Sequence, residues 1–147
     1  AQQELAAAEK DLLRSTTDLN LLYREKERAE AGIIKSAEKA ADAIKEQAST
    51  RATIDDLGPK VIAMRNEVNA TMNEDQAKTL KGLEKDEAKA IAQNRKAIDL
   101  EQQMKKKAED LALDIKKNEE DQVRKKVEIE QQETLVKALK EKLNAIQ

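Results

Sequence analysis

The feature that most constrains this chain is a seven-residue repeat of apolar positions that holds its phase through residues 80–146. One series carries Leu83, Ala90, Ala97, Met104, Leu111, Leu139 and Ile146; the companion series carries Leu80, Ala108, Ile115, Ile129, Val136 and Leu143. Seven residues are two turns of a slightly underwound helix, so both series fall on one stripe. A repeat kept over so many turns predicts one long helix that supercoils left-handedly with a partner. Polar residues also occupy the stripe, among them Glu87, Glu101, Gln122, Lys125 and Gln132. Asn94 and Asn118 lie on it too, and single buried asparagines set register at some cost in stability.

Residues 4–57 show the same repeat less cleanly. Leu5, Leu12, Leu19, Ile33, Ala40 and Ile54 form one series, with Ala8, Leu22, Ala29, Ala43 and Leu57 beside it. Ser15, Lys26, Ser36, Gln47 and Thr50 fill seam positions. A second set, including Leu13, Leu21, Ile34, Ala37, Ala41, Ile44 and Ala48, widens the stripe, so this helix is expected to touch more than one neighbour. Gly32 stands mid-helix, where it costs about 1 kcal/mol relative to Ala unless a close approach requires it.

Between the two repeats lies Gly58-Pro59, which contains the only proline. Gly suits a left-handed helix end and Pro suits the first position of a new helix. The expectation is therefore a turn at Gly58 and Pro59, followed by a short tip helix over about residues 59–72. Val61, Met64, Val68 and Met72 form its stripe. Asn73, followed by Glu74, Asp75 and Gln76, reads as a second break with an Asn cap. The expected organisation is a first long helix over 1–57, a turn and tip helix over 58–82, and a second long helix over 83–147.

Composition supports helices rather than a layered fold. There is no Phe, Trp, His or Cys, and Tyr23 is the only aromatic. A compact domain of this length usually draws much of its contact area from aromatics. The net charge of −2 gives no field favouring nucleic acid or an anionic membrane. The apolar runs are far shorter than the roughly 20 residues that span a bilayer. With no Met at position 1, a processed chain or an excised fragment is expected.

The inventory for chemistry is sparse. Ser15, Ser36 and Ser49 have no His to activate them, and no Gly-rich phosphate loop is present. Acidic runs such as Glu119-Glu120-Asp121 lack the loop spacing of a calcium site. No catalysis, cofactor, metal or small-molecule substrate is expected. Lys105-Lys106-Lys107, Lys116-Lys117 and Arg124-Lys125-Lys126 are interleaved with acids and lack aromatics for base stacking, which favours a solvated flank over a nucleic-acid surface.

These readings converge on an all-α fold: a long antiparallel coiled-coil hairpin with a short helical tip, alone or associated into a multi-helix bundle. The rival is a three-helix bundle that turns near Asn118. The expected function is a non-catalytic stalk, spacer or assembly module that contacts other helices and a protein partner. Val61, Met64, Val68 and Met72 at the tip are the expected contact, since Met adapts to irregular partners. The Ala/Glu/Lys-rich hairpin is broadly similar to the receptor-binding stalks of colicins, a likeness of style with no shared motif. It implies as the alternative a receptor-binding hairpin of a secreted toxin or virion protein.

Overall fold

The computed structural model describes residues 1–146. Two helices account for nearly all of them: α1, Gln2–Thr71, and α2, Glu74–Ile146. Ala, Glu, Lys, Gln and Leu are the residues that lose least on entering a helix, and they dominate both segments. The helices pack against each other as a hairpin. Thr50 meets Asn94, Gln47 meets Ala97, Leu22 meets Asn118 and Ser15 meets Glu128, so the pairing runs antiparallel.

The turn is not where the Gly-Pro pair suggests. α1 continues through Gly58 and Pro59, and Gly58 does not take a left-handed conformation. The physical reason is the seam. Val61 and Val68 follow Ile54 at seven-residue steps, and Met64 follows Leu57 at one, so the apolar stripe crosses Gly58-Pro59 in phase. Packing that stripe against α2 outweighs the interior-proline cost of about 3 kcal/mol. Pro59 is exposed on the side away from the seam, and Asp55, whose carbonyl loses its helical donor, is exposed as well. Water can satisfy that carbonyl. The separate tip helix is thus the last turns of α1, and the first long helix reaches Thr71 rather than residue 57.

The chain reverses at Met72-Asn73, where the repeat does lose phase. Steps of seven from Val68 would cover Asp75 and Gly82, yet both are exposed, and Gln76, Leu80 and Leu83 take the covered positions. Met72 adopts φ 54, a left-handed conformation, while its amide still donates to the Val68 carbonyl at 2.9 Å. This single bond is the simple left-handed helix end. Asn73 caps α2 as expected: its Oδ1 accepts from the amides of Asp75 at 2.8 Å and Gln76 at 3.3 Å. Gln76 does not close a capping box. Its Oε1 lies 2.6 Å from the Thr71 hydroxyl and its Nε2 donates to Glu67, so it braces the turn from outside.

The structure also removes the three-helix alternative. α2 passes through Asn118 without a break, and Asn118 is buried in the seam. Two compact units share the helices: one of Ala1–Ile34 with α2 from Glu109 onward, the other of Lys35–Ala108. In each unit the core is a thin line. Ala8 and Val136 are buried in the first; Ala40, Ala43, Val61, Ala90 and Ala97 in the second. Alanine permits close helix approach but removes little apolar area from water. Gly32 serves such an approach, since a Cβ there would sit 2.9 Å from Leu111 Cδ1.

Candidate functional site

The tip residues expected to form one contact surface divide between two environments. Val61 is 2% exposed, and Met64 and Val68 are half-buried, because all three continue the seam. Met72 is 81% exposed at the reversal. Ile62, beside the stripe, is also exposed. The free surface at the turn is thus Met72, framed by Thr71, Asn73 and Gln76, with the Arg65–Glu84 ion pair at 3.4 Å between the two helices nearby. Gly58 and Pro59 form no turn and lie within α1.

Two bridges centred on asparagines run from α2 to α1. In the unit that holds the turn, Asn94 Nδ2 donates to the Gln47 carbonyl at 3.2 Å and to Thr50 Oγ1 at 2.8 Å. Gln47 Nε2 returns a bond to the Ala97 carbonyl at 3.3 Å and another to Glu101 Oε1 at 3.0 Å. In the other unit, Asn118 Nδ2 donates to the Leu22 carbonyl at 2.9 Å and Oδ1 accepts from Gln122 at 2.7 Å. A buried amide without a partner costs about 1–3 kcal/mol, so each bridge penalises pairings shifted from this register. Both asparagines therefore do the work their seam positions implied.

Three ion-paired groups have shifted titration. Glu101 is held below the ordinary carboxylate value by a hydrogen bond from Lys105 and then by one from Gln47. Lys125 is raised chiefly by its bond to Glu128, with Asp18 contributing across the seam at 3.6 Å. Glu128 is lowered by the same lysine, with a smaller effect from Ser15. Such networks shift titration without implying catalysis. The surface depressions are open grooves beside the seam; one is lined by Lys26, Leu111, Asp114, Ile115 and Asn118. Among the described residues no group of three or more acids is gathered as a metal site requires. No described helix is long and apolar enough to cross a membrane. In the basic runs, Lys105, Arg124 and Lys125 each meet a carboxylate.

The outer apolar set of α1 stays uncovered. Leu13, Leu21, Ile34 and Ile44 are all exposed. The sequence reading did not single out their counterparts on α2, Ile91 and Ile98. The spacing of Ala88, Ile91 and Ile98 beside the seam was the available signal. Compared with family models, curated proteins and solved structures, the chain matches none.

Proposed function

We propose that this chain is a non-catalytic coiled-coil stalk, spacer or assembly module whose work is protein–protein contact. One observation carries the reading: the two helices cover a single alanine-rich seam and leave large apolar side chains outside it, including Leu13, Ile34, Ile62 and Met72. Apolar side chains left outside the seam give further helices or a protein partner something to cover, which supports the reading. The lack of His and Cys supports a role without catalysis.

The turn is one proposed contact point, now through Met72 rather than the whole Val/Met stripe. A receptor-binding hairpin of a secreted toxin or virion protein is the alternative that uses the same exposed turn. A photoreactive side chain placed at Met72 in the protein's own cells tests contact there, with Lys89 on a charged flank as the control. Adducts of discrete mass are expected at Met72 and not at Lys89. No adduct at Met72, or the same adducts at both positions, refutes contact at the turn. Met72→Ser is the matching loss-of-contact variant; Val61→Ser would instead damage the seam.

A further inference from the structure

The turn departs from what local stability favours. Met72 holds φ 54, a conformation that suits Gly or Asn, and its large apolar side chain is 81% exposed. Around it, residues 66–77 are the longest stretch of the chain without Lys or Arg, and they carry Glu67, Glu74 and Asp75, all exposed. Glu74 and Asp75 complement the N-terminal end of α2. Glu67 instead lies near the negative end of α1, where it accepts only a long bond from Gln76 at 3.5 Å. Departures of this kind collect at functional positions.

The same unit, Lys35–Ala108, carries a surface of the opposite character. Lettering each heptad so that the seam is a and d, Arg65 and Glu84 both occupy e positions, and their ion pair puts the e sides of α1 and α2 on one flank. Steps of seven along both helices from that pair set Arg51 across from Ile98 and Ile44 across from Lys105, with Arg95 at the adjoining b position. Ile44 is 48% exposed and Ile98 is 38% exposed. The acids of this flank, Asp55 and Glu84, are held by Arg51 and Arg65 at 3.4 Å each, and Lys81 and Arg95 leave the flank net positive. Such a flank repels its own kind and attracts an acidic partner.

We propose that the turn of one copy docks end-on upon this flank of a second copy. Met72 then lies against Ile44 and Ile98, and the Glu67, Glu74 and Asp75 carboxylates face Arg51, Arg95 and Lys105. The inference rests on the reading of the turn as a protein contact and names its partner. What favours a copy is that the chain itself carries the surface the turn requires, an apolar patch with a margin of the opposite charge. Met suits the contact because its unbranched side chain adapts to an irregular surface. The two patches differ, so the contact runs head to tail rather than joining like to like.

The test uses the purified full chain in sedimentation equilibrium from low to high micromolar concentration. At low salt the wild type is expected to rise above monomer mass, and to fall back as added salt screens the charges. The turn variant is Met72→Asn with Glu67→Gln and Glu74→Gln; Asn tolerates the left-handed conformation, so the reversal keeps its shape. The flank variant is Arg51→Gln with Arg95→Gln and Ile98→Gln, all at exposed positions. Each alone should weaken self-association by at least about tenfold, while Leu100→Gln on the opposite flank should leave it unchanged. Circular dichroism at 222 nm checks the helices, and Met72→Asn and Ile98→Gln alone serve if a triple variant loses them. Mixed together, the turn variant supplies an intact flank and the flank variant an intact turn, so the pair should regain association and stop at a 1:1 complex. A wild type that stays monomeric overturns the proposal, as does association indifferent to salt. So do a turn or flank variant that associates like the wild type, an equal loss from Leu100→Gln, or a mixture that stays monomeric. A monomeric chain whose adducts from position 72 contain a different protein would sink this inference and leave the proposed function standing.

Discussion

The sharpest test of the fold is at Gly58-Pro59, because a continuous helix and a turn there predict opposite signs. In the continuous helix, Pro59→Ala restores an amide facing the Asp55 carbonyl and removes the interior-proline cost of about 3 kcal/mol. Greater freedom of the unfolded chain works against this by about 0.4–1 kcal/mol, so the net gain is about 2 kcal/mol. Gly58→Ala should add about 1 kcal/mol from helix propensity. The new Cβ has room, with Glu87 Oε2 the nearest contact at 3.7 Å. Adjacent sites need not add, but about 3 kcal/mol for the double variant corresponds to a rise in Tm of about 6–12 °C in a chain of this length. Circular dichroism at 222 nm, followed through urea and thermal unfolding, measures it. Were Gly58 a left-handed helix end and Pro59 the start of a new helix, Ala at 58 would incur about 1–2 kcal/mol of backbone strain. Ala at 59 would then give up a pre-set φ. A double variant less stable than the parent therefore refutes the helix through residues 58 and 59.

Three further outcomes follow from the same geometry. Met72→Gly should stabilise the hairpin by up to about 1 kcal/mol by relieving the left-handed conformation, and Asn73→Ala should cost about 1 kcal/mol by removing the cap of α2; urea midpoints of the two variants should move in opposite directions. Asn118→Ala should cost about 1–3 kcal/mol, because it strips the Gln122 amide of its partner and the Leu22 carbonyl of its bond across the seam; a change within error would mean that the bridge holds nothing. In acid, the lowered Glu101 and Glu128 contribute stability that is complete above the ordinary value of 4.5 and lost as pH falls through their folded values. The raised Lys125 contributes fully below 10.5 and loses its share as pH rises through its folded value. With no His, unfolding midpoints should be level near neutrality and drop below pH 4.5, and Glu101→Gln should shrink that drop.

What could be read from the sequence was whatever depends on period. Apart from Glu84, Ile91 and Asp121, the covered residues of α2 from Leu80 to Leu143 are the two seven-residue series, and apart from Asp18 and Gly32 those of α1 from Leu5 to Leu57 follow their series as well. Ser15, Ser36 and Thr50 are buried at seam positions, and Asn94 and Asn118 bridge the helices. Local propensity was the weaker guide. Gly58-Pro59 is the strongest break signal in the chain, yet the in-phase run of Val61, Met64 and Val68 across it already carried the contrary information. The slip in phase between Val68 and Gln76 marked the real reversal, where the cue from residue type was only Asn73.

The sequence by itself determined that two long helices form, which stripe each one covers, and that Asn73 can start the second. Only the tertiary structure decided what covers each stripe. A period locates an apolar face, but the face gains free energy only against a partner of matching register, and many registers of an alanine seam bury similar area. The choice falls to groups whose bonds form in one register, namely Asn94 on Gln47 and Thr50, and Asn118 on Leu22. The same reason carried Val61 into the core past a proline: contacts with α2, which no local rule includes, outweighed the helix-breaking preference of Gly58 and Pro59.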